Sequence, residues 1–405
     1  MSNALLTPTV IAREALMQLN NNLVAGRTVY RDYSDEFTAV GDTITVRRPV
    51  DFTVTDGATL SLQNVEEGSL TVAMDKQKHV AWRFSSKDLT LTIDEYSARY
   101  IRPAMIQLAN QVDRDLLSLY DQVNNWVGTP GSAVNSYAKF AEGPKRLDVL
   151  AVPEGERFAA LSPSDYWALT GSQTSLAASD RLVETAYERA ILGNVAGVEL
   201  FKAQNVQAHT AGTRTNTTPL VDGAGQAVTY ATAKATMTQS LVVKGAGNAV
   251  TIKDGDVFTI AGVFDVNPVT KATLSHLKQF VVRSDATSAA GGGVTLTIYP
   301  AIITSGPYQT VSAAPANEAA ITWAGAASGI TDQNMVYHRN AFALVTRPLI
   351  RPDGAAFSAT ESADGMSVRI ITDYDMTNDQ ERIRLDILYG VKAIDARLAV
   401  RLSGS

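Results

Sequence analysis

TIKDGDVFTIAGVFDVNPVT, from Thr251 to Thr270, reads as two short strands around a turn. Asp256-Val257-Phe258-Thr259-Ile260 alternates polar with apolar residues, the pattern of a half-buried strand. Asp254-Gly255 before it and Asn267-Pro268 after it carry turn chemistry, and Gly255 and Gly262 are the expected turn glycines. From about Thr213 to Ala327 the composition is rich in Ala, Gly, Thr and Val. Further strands lie at Ser240–Val243, Gln279–Arg283 and Val294–Tyr299. Short strands at such spacing predict a small β-barrel or sandwich. The sequence on either side is of another kind, so the β unit reads as an insertion between two halves of a larger domain.

Working outward, residues 7–23 predict an amphipathic helix with Ile11, Ala15, Leu16 and Leu19 on one face. A lone terminal helix cannot bury that stripe. The stripe is expected to serve neighbouring copies, so a chain lacking residues 1–25 should still fold. Residues 42–48 and 69–84 alternate with period two: Ile44 and Val46, then Leu70, Val72 and Met74, later Val80, Trp82 and Phe84. With Asp56-Gly57 and Glu67-Gly68 read as turns, they predict an extended hairpin arm that rests on another subunit. Arg47, Arg48, Lys76 and Lys78 lie on its strands, and Asp51, Asp56, Glu66 and Glu67 near its tip. Two readings stand side by side: a solvated edge that blocks aggregation, or contacts to a neighbour.

From Thr92 to Val127 the period changes. A capping box at Thr92–Glu95 precedes Ile101, Met105, Leu108, Val112, Leu116, Leu119, Val123 and Trp126 at spacings of three and four. This predicts a spine helix of roughly 50 Å, bent or restarted at Pro103. A helix start at Ser162-Pro163, a helix over 180–192 and strands at 198–201, 341–345, 367–371 and 382–389 complete the pass.

The 405 residues exceed the usual length of a single core, so two or more domains are expected. Charged residues are 19%, below the usual ~25%. A net charge of −6 argues against general affinity for nucleic-acid phosphates. No cysteine is present, which excludes disulfides and thiolate metal sites. The N-terminus lacks a basic segment followed by an apolar core, and no run of about 18 apolar residues occurs. The chain is therefore expected to stay in a cytoplasm, off the membrane.

Little points to catalysis. His79, His209, His276 and His338 read as surface or packed histidines. No nucleophile elbow, phosphate-binding loop or zinc-protease motif is found, and Gly245-Ala246-Gly247 reads as a turn. Asp373, Asp375 and Asp379 crowd one turn, but without the glycine and distal glutamate of a calcium loop they read as solvated. No catalytic, cofactor-binding or metal residue is expected. The rival reading is a carbohydrate-active hydrolase whose β insertion binds ligand.

Four stretches carry a resemblance. DEYSARYIRPAMIQLANQVDRDLLSLY (residues 94–120), FAALSPSDYWALTG (158–171) followed by ETAYERAILGNVAGVELFKAQNV (184–206), GDVFTIAGV (255–263) and RIRLDILYGVKAIDARLAVRL (382–402) stand in a characteristic order. Together they resemble the tailed-phage major capsid proteins of the Hong-Kong-97-type fold, and within these the coat protein family of Salmonella phage P22. At the closing strand this chain has Ala393-Ile394-Asp395 where that family has a proline.

The resemblance implies an α+β fold: an N-arm (1–35), an E-loop hairpin (36–90), the spine helix of the P-domain (91–128), a first A/P part (129–212), the inserted β-barrel (213–334) and an A/P return (335–405). It implies a coat protein that closes, as hexamers and pentamers, into an icosahedral head shell around double-stranded DNA without specific DNA binding. Implied partners are a scaffolding protein, a portal at one vertex and, as a further candidate, a decoration protein. No cofactor is implied. The implied location is the virion, assembled in the host cytoplasm, and another virion structural role is the nearest alternative. Asn267 and Lys271 would lie in a loop that meets a neighbouring capsomer. Residues 51–68 contain no lysine, so covalent cross-linking at the arm is not expected. The arm helix starts almost at once, so scaffolding is expected from a separate protein.

Overall fold

The computed structural model describes residues 8–32, 43–48, 50–54, 57–58, 62–63, 65–85, 100–173, 193–214 and 218–404. The chain divides into two compact units. One comprises residues 1–44, 71–117 and 342–392, the other residues 45–70, 118–341 and 393–405.

In the first unit the Pro8–Asn22 helix packs on the Arg102–Leu117 helix and on the strands Phe357–Ala363 and Met366–Asp375. Ile11, Leu16 and Leu19 are buried there, as are Ala12 and Ala15. This corrects the expectation that the stripe serves neighbours. The 3.6-residue period was read rightly, but the apolar face is consumed inside the unit. The 14-residue strand Gln380–Ala393 pairs antiparallel with Met366–Asp375 on one side and Lys76–Ser85 on the other.

The continuous strand expected over 69–84 is two strands. Ser69–Ala73 pairs with Thr43–Arg47, and after Asp75 the Lys76–Ser85 strand takes Gln380–Ala393 as its partner. The arm is therefore based on five-residue strands. Alternation reports burial on one face, and it does not reveal a change of partner.

The spine helix ends earlier than expected. Its α-helical part among the described residues is Arg102–Leu117, about 24 Å at 1.5 Å per residue, preceded by π-helical backbone at Tyr100 and Ile101. The capping box at 92–95 lies outside the described residues. Met105, Leu108, Val112 and Leu116 are buried on the helix as the spacing requires. Leu119 falls in the 3-10 turn Ser118–Gln122, and Trp126 in the short strand Trp126–Val127. Long-range bonds displace the helix. Trp126 N–H donates to Gln279 Oε1 at 2.7 Å, and Arg401 N–H donates to the Asn125 carbonyl at 2.8 Å. Trp126 then packs with Val257 and Val281 instead of along a spine.

The second unit has a body and a barrel. The body sheet runs in the order Trp126–Val127, Ala399–Leu402, Asn334–His338, Arg157–Leu161, Val198–Lys202, Asn194–Val195. The helices Tyr137–Val149 and Pro163–Gln173 supply Phe140, Leu147, Tyr166 and Leu169 to its core. Ser136 caps the first of these, accepting from Lys139 N–H. The helix expected over 180–192 lies outside the described residues.

The barrel sheet runs in the order Ile321–Trp323, Val257–Val266, Thr273–Val282, Val294–Tyr299, Gln239–Lys244, Leu220–Val221. A bridge between Leu220 and Ala320 closes it, reinforced by Val221 N–H on the Ala319 carbonyl and Ile321 N–H on the Pro219 carbonyl. Closure removes the exposed edges an open sheet would present. Phe258, Phe280, Leu241, Leu296 and Ile298 fill the interior.

Two details of the opening stretch are corrected. Thr251–Ile252 pairs with Ala286–Thr287, not with the strand after it, so the stretch is no hairpin. The Asp256–Ile260 alternation does not describe a half-buried strand either, because Val257 packs against Trp126 while Phe258 and Ile260 face the barrel core. Gly262 is not a turn. It sits inside the Val257–Val266 strand at φ +78°, where the register with Thr273–Val282 slips between Thr259 and Phe264, a bulge that glycine accommodates without strain.

Candidate assembly surfaces

Residues 45–70 of the arm belong to the second unit. At its root Arg48 N–H donates to the Gly68 carbonyl at 2.8 Å, and Arg47 pairs with Glu67 at 3.0 Å in the open. Asp51 pairs with Arg397 at 3.4 Å, and Arg397 is also held by Asp395 at 2.8 Å. The carboxylate of Asp395 raises the Arg397 guanidinium further above its usual range. Beyond the root, Phe52, Val54, Leu62 and Val65 are exposed, Val54 at 96%. Asp56 lies outside the described residues. Gly68 was read as a turn residue, but its role is close approach: a Cβ there would stand 2.7 Å from the Lys234 carbonyl and 2.8 Å from the Tyr230 hydroxyl.

Asn267 and Lys271 lie at the tip of the hairpin joining Val257–Val266 to Thr273–Val282. Asn267 Oδ1 accepts the N–H groups of Val269 and Thr270, and Lys271 N–H donates to the Asn267 carbonyl. This side chain shapes its own turn, and the exposed apolar group at the tip is Val269. Burial pulls the Lys271 ammonium below its usual range, opposed by Asp51. Just below the tip, Asp265 meets Lys278 at 2.9 Å and His276 at 3.3 Å. Burial alone would raise the Asp265 carboxyl, but the Lys278 charge and the hydrogen bonds from His276 and Lys278 outweigh it and hold it at about 2.

A third feature was not legible in the sequence. His209, on the short strand Ala208–Thr210, is buried with Asp256. Asp256 Oδ1 accepts from His209 Nε2 at 3.1 Å, and Nδ1 lies 3.2 Å from the Tyr120 hydroxyl. Asp256 Oδ2 also accepts from the N–H groups of Gly212 and Lys253. Burial raises the Asp256 carboxyl, but the His209 hydrogen bond and the Arg214 charge outweigh it and keep it below the usual range. Fully buried Arg401 donates to the Gly255 carbonyl at 2.8 Å and lies over the rings of Tyr120 and Trp126. Burial lowers its guanidinium to about 10. Both His209 nitrogens are committed, so this is a strut between the 208–210 strand, the 253–256 turn and the 118–122 turn. Gly255 belongs to it: at φ +90° a Cβ would meet His209 Cε1 at 3.2 Å. The histidine's partner lies 47 positions away, beyond any local spacing rule.

Lys76 lies in the first unit, 3.3 Å from Asp115. The Asp373–Asp379 turn spends its carboxylates locally. Asp375 takes Arg382 and Asn378, and the Tyr374 hydroxyl donates to Asp379. Among the described residues no group of three His, Asp or Glu side chains is placed to hold a metal.

The profile of the family described as P22 coat protein, gene protein 5, matches residues 2–404. The chain is similar to the major capsid protein of Acyrthosiphon pisum secondary endosymbiont phage 1, 24% identical over 416 residues that cover 94% of this chain and 93% of the relative. Among solved structures it is similar to a chain of Mycobacterium phage Che8 (TM-score 0.48, 13% identity, 95% of this chain and 92% of the other). It is also similar to the CUS-3 coat protein I-domain (TM-score 0.21, 27% identity, 27% of this chain and 96% of the other).

Proposed function

This chain belongs to the P22 coat protein family, and from that premise we propose that its copies close, as hexamers and pentamers, into an icosahedral shell around double-stranded DNA. It is a phage major capsid protein and part of the virion. The observation that carries the reading is the family match over residues 2–404, nearly the whole chain.

The arm supports the same reading. Phe52, Val54, Leu62 and Val65 are exposed on it. Covering such side chains stabilises by roughly 25 cal/mol per Å² of apolar area, repeated in every subunit. A neighbouring copy is the natural cover, with Arg47 and Glu67 exposed at its edge. The association is non-covalent, in keeping with a chain free of cysteine and with no lysine in residues 51–68. The N-arm, E-loop, spine, A/P and inserted-barrel divisions follow the family resemblance. A separate scaffolding protein, a portal at one vertex and a decoration protein are the expected partners. Assembly takes place in the host cytoplasm, and the net charge of −6 suits a wall that does not grip DNA.

Negative-stain microscopy with sedimentation velocity tests this on the purified chain, alone and with the candidate scaffolding protein. Closed shells, tubes or spirals are expected. A stable monomer under both conditions would overturn the proposal.

A further inference from the structure

An arm based on five-residue strands, with Phe52, Val54, Leu62 and Val65 exposed on it, needs an outside hold to fix its direction. One side chain touches both of its limbs. The Tyr308 hydroxyl donates to the Glu66 carbonyl on the returning limb at 2.9 Å and accepts from Asp51 N–H on the outgoing limb at 3.4 Å. The Tyr308 ring stacks on Tyr230, with centroids 3.5 Å apart and planes 6° from parallel. Tyr230 opens the short helix Tyr230–Ala233, whose following carbonyl, at Lys234, presses on Gly68 of the returning limb.

The loop that carries Tyr308 is itself braced. Thr310 Oγ1 donates to the Ala301 carbonyl at 2.6 Å and accepts from Ile303 N–H at 3.0 Å. Ile303 and Ala301 are buried with Ala233 in one cluster. A rigid path therefore runs from the barrel wall through a stacked tyrosine pair to both limbs of the arm. Asp51, whose N–H Tyr308 receives, is the residue that Arg397 pairs with from the closing segment.

We infer that Tyr308 is a positioning residue for the arm: its hydroxyl, seated on Tyr230, sets the direction in which the arm leaves the barrel. The inserted barrel thereby acts as a bracket that aims the arm at the next subunit. An arm of several extended residues reaches about 20 Å from its root, so a small rotation at the root displaces the tip by several ångströms. In a closed shell that displacement changes the angle between neighbours, and with it the curvature. The consequence for curvature rests on the shell reading above; the bracket itself does not.

The test uses the full chain and Tyr308→Phe, which deletes the hydroxyl and keeps the ring. Gly68→Ala is the second variant, because its added Cβ would meet the Lys234 carbonyl. Tyr137→Phe, at the exposed start of the Tyr137–Val149 helix, is the control. Three readouts are taken: chymotryptic cleavage after Phe52 and Leu62 in unassembled protein, the thermal midpoint of that protein, and the diameter and shape of assembled particles. Cleavage reports the population of the released arm.

Tyr308→Phe and Gly68→Ala are expected to speed arm cleavage about tenfold with the midpoint unchanged, and to broaden the particle diameters or yield tubes. Tyr137→Phe should match the wild type in all three. Wild-type cleavage rates and wild-type particles from both variants would overturn the inference. So would faster cleavage accompanied by an equal fall in the midpoint, since that is general destabilisation. If the wild-type chain forms no particles, the shell reading fails while the cleavage comparison still decides the bracket.

Discussion

The Asp113 carboxylate accepts the Gly26 N–H at 2.8 Å across 87 positions of the chain. Its other oxygen accepts Val24 N–H, also at 2.8 Å. The spine helix thus holds the turn that follows the N-terminal helix, and Arg31 closes the same turn by donating to the Gly26 carbonyl at 2.6 Å.

This carboxylate gives the first unit an unusual pH dependence. Burial pushes the Asp113 carboxyl up to about 6, against the lowering effect of the Val24 and Gly26 N–H groups. A pKa raised in the folded state contributes stability that is full below about 4 and is lost as pH rises through about 6. The shift corresponds to about 3 kcal/mol at most. Asp113→Asn removes the titration. Melting curves of the two proteins between pH 4.5 and 7.5 (~3 pH units, bracketing the transition) should show the wild type losing stability relative to the variant as pH rises. Parallel curves would refute this.

The Pro8–Asn22 helix serves its own unit. Leu19→Ala should cost about 2–4 kcal/mol in denaturant unfolding, because Leu19 is fully buried. Met17→Ala, on the exposed face at 48%, should stay within about 0.5 kcal/mol. Equal effects would show that the helix is not docked.

Two glycines in one strand region should behave differently. Gly255→Val places branched carbons against His209 and Tyr120 at φ +90°, and soluble yield should collapse. Gly262→Ala meets nothing within 4 Å and carries only the backbone cost of φ +78°, about 1 kcal/mol. Expression trials followed by thermal melts distinguish them.

Below the barrel tip, Asp265→Asn should be worse than Lys278→Met. Removing the carboxylate strands a buried ammonium, a loss of about 3–5 kcal/mol; removing Lys278 leaves the Asp265 carboxylate buried in turn, but with its hydrogen bonds from His276 and the Val266 N–H kept. With the Asp265 carboxyl held at about 2, its contribution is present above pH ~4 and fades as pH falls towards about 2. Acid titration followed by circular dichroism gives both the ranking and the window.

Much of the secondary structure was legible because it is local. The three-and-four spacing of Met105, Leu108, Val112 and Leu116 needs no knowledge of partners, and neither does the Ser162-Pro163 helix start. The order of the quoted stretches was enough to point to the family. Trp126 satisfied the helical spacing as well as Leu116 does, yet Gln279 and the closing strand draw its backbone into a sheet. The 69–84 alternation held while its hydrogen-bond partner changed at Asp75.

By itself, then, the sequence determined the periods, the barrel strands around 240–243, 256–260, 279–283 and 294–299, and the kinship. Tertiary structure alone decided where the spine ends, that the N-terminal stripe is spent inside the chain, that Gly262 is a bulge and Gly68 a close approach, and that His209 meets Asp256. The reason is physical. Periodicity records which residues must leave water, a property each residue carries locally. A hydrogen bond or a collision records which distant atom arrives beside it, and that is settled only when the chain has closed on itself.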